Sequence, residues 1–82
     1  MDISEIEMAI IEGIPHLVKQ VTHEIVEGNI ILEIQPVNAV YSYYQTKEGV
    51  IQKLKEYIKE LTGIDAEYVG DGAYGLRFKL KL

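Results

Sequence analysis

His16-Leu17-Val18-Lys19-Gln20-Val21-Thr22-His23-Glu24-Ile25-Val26-Glu27, followed by Gly28-Asn29, admits two readings, and the fold turns on which one holds. The apolar residues fall as Leu17 and Val18, then Val21, then Ile25 and Val26. His16, Lys19, Gln20, His23, Glu24 and Glu27 take the other side. This spacing fits a period near 3.6 and breaks a period of 2. It predicts an amphipathic helix over 16–27, with Pro15 in its first turn and Gly28-Asn29 as its stop. The competing reading is a β-hairpin turning at Gly28-Asn29, in which Val21, Ile25, Leu32 and Ile34 share one sheet face. Val21, Thr22, Ile25 and Val26 are residue types that favour strands.

The flanking segments are plainer. Ile3, Ile6, Ile10 and Ile11, with acids between them, predict a helix over 3–12 that Asp2 or Ser4 can cap. Ile30 to Gln35 reads as a strand, Pro36-Val37-Asn38 as a turn or edge, and Ala39 to Gln45 as a second strand. Thr46 and Gly49 open a helix with the stripe Val50, Ile51, Leu54, Tyr57, Ile58 and Leu61, and Gly63 closes it. Residues 64–69 and 73–82 form a hairpin around Gly70-Asp71-Gly72. Its last strand sets Leu76, Phe78, Leu80 and Leu82 against Arg77, Lys79 and Lys81. The fold class is α+β: a two-layer sandwich with a four-stranded, mostly antiparallel sheet and helices on one face. The order is α-β-β-α-β-β, or α-β-β-β-α-β-β under the hairpin reading, and residues 1–82 form one domain.

Composition narrows the function classes. The 82 residues are 48% hydrophobic and 26% charged, a globular balance. No apolar run approaches the ~20 residues of a membrane helix. The acidic start (Asp2, Glu5, Glu7, Glu12) does not read as a signal peptide, so the expected compartment is the cytoplasm. Cysteine is absent, which excludes disulfides, thiol catalysis and cysteine-held metal. The abundance of Ile, Glu and Lys resembles a thermophile composition. Residues 1–46 carry seven acids and one base, and residues 47–82 carry six acids and seven bases. So small a domain without staples relies on a very apolar core or on a partner chain.

Several patterns bear on chemistry. Gly70-Asp71-Gly72-Ala73-Tyr74-Gly75 matches G-x-G-x-x-G, but a strand follows it where a dinucleotide fold needs a helix. It is read as a tight turn, and no cofactor is expected. His16 and His23 are seven residues apart, too far along a helix to reach one ion, and no metal site is expected. Tyr41, Tyr43 and Tyr44 crowd one predicted strand and, with Tyr74, are the candidate interface or ligand surface. Residues 29–46, which hold the strand tyrosines, contain no base, and the net charge of −5 opposes a phosphate backbone, so nucleic acid is an unlikely partner. The Arg77, Lys79 and Lys81 row is read as a solvated stripe that could also meet an acidic partner. No catalytic constellation is present: Ser4 and Ser42 are the only serines, and neither sits in a nucleophile-type turn.

The stretch from Val50 to Leu80, a helix ending in Leu61-Thr62-Gly63 and then a glycine-turned hairpin, resembles the tail of the small-ligand-binding vinyl reductase domains. The cysteine common in that family is missing, and no property is carried over. The leading expectation is a non-enzymatic interaction module that forms a homodimer through a sheet face or the first helix. A small-molecule-binding domain or enzyme subunit, with a pocket lined by Tyr41, Tyr43 and Tyr74, is the alternative. Nucleic-acid binding is the third reading.

Overall fold

The computed structural model describes residues 2–82, apart from the side chains of Tyr41, Ser42 and Tyr43. Helix α1 (Ile3–Gly13) starts where the Asp2 carboxylate accepts the Glu5 N–H at 2.9 Å. Strands β1 (Val18–Val26) and β2 (Asn29–Pro36) follow as a hairpin, then a short helix α2 (Ala39–Tyr44). Helix α3 (Lys47–Thr62) is capped by Thr46 at its start and by Gly63, in the left-handed region, at its end. Strands β3 (Asp65–Asp71) and β4 (Leu76–Lys81) complete an antiparallel sheet of order β1-β2-β4-β3. The class is α+β, and the order is α-β-β-α-β-β when α2 is counted with α3.

Residues 16–27 do not form the helix that their spacing predicts. Val18 to Val26 is a strand, and the register explains the misleading pattern. Val18 lies opposite Pro36 and Gln20 opposite Gln35, so a bulge inserts one extra residue at Lys19. The bulge puts Val18 and Val21 on the same face, three residues apart. Four residues on, Ile25 returns to that face by ordinary alternation. A bulged strand thus reproduces the i, i+3, i+7 spacing of a helix. The turn also sits one residue earlier than the hairpin reading placed it. Glu27 and Gly28 are its central residues, with φ of 52° and 80°, the pattern of a type I′ turn.

Residues 39–45 are likewise not a strand. Both edges of β2 are already taken, by β1 and by β4, so no pairing partner remains beside it. Ala39–Tyr44 turns helical instead, which places Val40 in the core, 2% exposed, with half-buried Tyr44 one turn later on the same face. Gln45 ends this helix with a φ of 65°.

Helices α1 and α3 lie side by side on one face of the sheet. Ile6 and Ile10 of α1 and Val50, Leu54 and Ile58 of α3 are buried against Val21, Leu32, Ile34, Ala66, Leu76, Phe78 and Leu80 of the strands. Ile14, Leu17 and Val40 close one end of this core. The row Leu76, Phe78 and Leu80 faces inward as its alternation requires, and the Phe78 ring meets that of Tyr68 at 5.9 Å and 59°. The opposite face of the sheet carries no helix.

Candidate functional site

The uncovered sheet face sets charges of both signs side by side. Register places Thr22, Glu33 and Arg77 in one row across β1, β2 and β4, and Glu24, Ile31, Lys79 and Glu67 in the next across all four strands. Arg77 Nη2 donates to Glu24 at 2.8 Å, and its Nε lies 3.8 Å from Glu33. Lys79 stands opposite Glu67, and Lys81 opposite Asp65. The Arg77, Lys79 and Lys81 row is therefore flanked by carboxylates of this same chain. The acidic first half of the sequence meets the basic last strand here.

The glycine-rich segment forms the β3–β4 turn, closed by the Gly72 N–H donating to the Gly75 carbonyl at 2.8 Å. It wraps an anion that the chain itself supplies. The Tyr74 N–H donates to Glu33 at 2.7 Å, and a Cβ on Gly72 would run into the Glu33 carboxylate. A Cβ on Gly75 would strike the backbone carbonyl of Ile34. These glycines exist for close approach to β2. The spacing gave no hint of this, because Glu33 lies 41 residues from Tyr74 and only the register brings them together.

Of the candidate tyrosines, Tyr44 and Tyr74 stand on different elements. Tyr74 sits on that turn, 74% exposed, whereas Tyr44 ends α2 beside an apolar groove. The side chains of Tyr41 and Tyr43 lie outside the described residues, and the strand that was to align them is a helix. The groove, of about 370 Å³, is lined by His16, Leu17, Val40, Tyr44 and Tyr57 among others. The sequence pattern marks Tyr57 only as part of the α3 stripe, and the helical turn at 39–44 is what places Tyr44 with it.

The two histidines separate. His16 borders the groove, while His23 Nδ1 donates to Glu7 of α1 at 2.7 Å. Among the described residues, no three His, Cys, Asp or Glu side chains are grouped so as to hold a metal. A third polar cluster joins α3 to β3. Lys47 is hydrogen-bonded to Asp71, and the Tyr68 hydroxyl donates to Asp71 at 2.5 Å. The Lys47 ammonium and the Tyr68 hydroxyl hold the Asp71 carboxyl below its ordinary range. The Asp71 carboxylate raises both Lys47 and Tyr68.

The sheet has two outer strands, and they differ. β3 carries Asp65, Glu67 and Asp71 and is bulged between Tyr68 and Gly70. β1 is nine residues long, and beyond Val21 every residue from Thr22 to Val26 is exposed. Ile25 is 62% and Val26 38% exposed. Met8, on the outer side of α1, is 50% exposed. A long outer strand with solvated apolar residues is an open template for pairing. No helix among the described residues is long and apolar enough to cross a membrane.

No match was found among protein-family models, curated proteins or solved structures, and the resemblance of Val50 to Leu80 to vinyl reductase domains gains no support there.

Proposed function

We propose that this chain is a small non-enzymatic interaction module that self-associates, using the β1 edge and the first helix, with the cytoplasm as its expected compartment. The observation that carries the reading is the run Thr22–Val26, exposed on both faces at the rim of the sheet and containing Ile25. The bare sheet face is a weaker candidate, because it carries charges of both signs that an apolar interface would have to desolvate. Light scattering at micromolar concentration should give a mass near twice 9.3 kDa. A strictly monomeric mass at high concentration would overturn the proposal.

A second reading, a small-ligand domain, draws on one observation. The groove beside Tyr44 and Tyr57 falls within the ~300–1,000 Å³ of ordinary small-molecule sites. It fits a compact apolar molecule better than a charged one. Titration with an apolar fluorescent probe should show saturable binding that Tyr57→Ala weakens, and a linear, unsaturable response would remove this reading. Nucleic-acid binding has less support still, since carboxylates flank each base of the β4 row.

A further inference from the structure

The two-residue turn at Glu27-Gly28 fixes which backbone groups of β1 point outward. Such a turn is flanked by a hydrogen-bonded pair, here Val26 with Asn29. Alternation then commits Val26, Glu24 and Thr22 to β2 and leaves the N–H and C=O groups of Ile25, His23 and Val21 directed away from the sheet. Three consecutive outward positions at a rim without a neighbouring strand are an unfilled ladder.

Resting on the self-association reading above, we propose that two copies join β1 to β1 in an antiparallel register centred on His23, forming one continuous eight-stranded sheet. The two-fold axis passes beside His23. Val21 then lies opposite Ile25 of the second copy, and Ile25 opposite its Val21. All three outward residues of each strand form hydrogen-bonded pairs. Faces match as well, because Val21, His23 and Ile25 all point to the helix side of the sheet. Thr22 faces Glu24, and Lys19 approaches Glu27 of the second copy, so unlike charges meet at the ends. Sliding the strands by one step in one direction sets Glu24 against Glu24. Sliding them the other way runs Ile25 onto the Lys19 bulge. The exposed Ile25 thus gains an apolar partner in this register.

The helices fit the same symmetry. Two helices packed roughly 10 Å apart over four strands spaced about 4.8 Å place each helix near an outer strand. Joining the β1 edges brings the two copies of α1 to packing distance. The His23 partner Glu7 marks the side of α1 that overlooks β1. Ser4, Met8 and Ile11, at i, i+4 and i+7, run along the adjoining flank, where Met8 is half exposed. The other outer strand does not offer this, since pairing β3 with itself gathers the carboxylates of Asp65, Glu67 and Asp71 from both copies.

The chain has no cysteine, so a single introduced one can form a disulfide only between copies. In this register two His23→Cys residues stand at a Cα separation of about 5.5 Å, within disulfide reach. Mild oxidation should link His23→Cys nearly completely and leave the α3 control Gln52→Cys unlinked. Amide exchange on the unaltered chain needs no variant. The amides of Val21, His23 and Ile25 should exchange at least about tenfold more slowly at high than at low protein concentration. A dimeric mass with no His23→Cys linkage and concentration-independent exchange at these amides would refute the β1 register while leaving self-association intact. A monomeric mass at every concentration would remove both.

Discussion

Phe78 has no exposed surface and sits in one core with Leu54 and Ile58 of α3. Its neighbour Lys79 points to the face without helices. Phe78→Ala should therefore cost about 3–5 kcal/mol, through lost transfer energy and the cavity left behind. Lys79→Ala should change stability by about 0.5 kcal/mol or less. Urea titrations of both variants give the comparison, and equal effects would mean that the bare face is not solvated. Gly75 shows a different kind of constraint. It meets the backbone of β2, which cannot swing aside as a side chain can. Gly75→Ala should cost about 1–3 kcal/mol by overpacking. It should also release the Glu33 carboxylate from the Tyr74 N–H, visible as a shift of that amide resonance.

The clasp between α3 and β3 is built from groups that solvent reaches, so its effect is local and pH-bounded. The folded-state pKa of Asp71 lies below its ordinary value. The clasp's contribution is thus present above the ordinary carboxylate range and lost as pH falls through the lowered value. Lys47 and Tyr68 are raised, so on the alkaline side it is present below their ordinary values and lost as pH rises through the raised ones. Asp71→Asn removes the main cause of the Tyr68 shift. Ultraviolet titration should then show Tyr68 ionising at lower pH than in the parent, and an unchanged midpoint would contradict the assignment. The elements themselves were legible to different degrees. Caps and alternation marked α1, α3 and β4 because local chemistry decides them: Asp2 and Thr46 cap, Gly63 terminates, and Leu76, Phe78 and Leu80 alternate. β1 was legible only as the competing hairpin, and α2 was missed, for the opposite reason. One bulge at Lys19 disguised a strand as a helix, and the tyrosine-rich Ala39–Tyr44 segment turned helical where both edges of the preceding strand β2 are already paired. The Glu33 cradle and the Tyr44–Tyr57 groove depend on register and packing, which no spacing along the chain encodes.

At the scale of the molecule, a domain of 82 residues buries a modest fraction of its surface and has small reserves of stability. Part of its charge asymmetry is resolved internally, where Arg77 binds the acids Glu24 and Glu33, but such exposed pairs contribute only ~0–1 kcal/mol each. A partner that binds the folded state alone adds stability by mass action. If two copies associate, folding and association are coupled, and the melting temperature must rise with protein concentration. Each tenfold increase supplies about 1.4 kcal/mol per dimer, half of that per chain, which for a domain of this size corresponds to roughly 3–6 °C. Ile25→Lys separates association from folding. Ile25 is 62% exposed, so the change should leave the melting temperature at low concentration within about 4 °C of the parent. It should abolish the concentration dependence, because it places a charge against Val21 of the second copy. Calorimetry over a hundredfold range of concentration measures both slopes. A parent slope that Ile25→Lys leaves untouched would move the interface away from β1, and a flat parent slope would show that the chain folds on its own core alone.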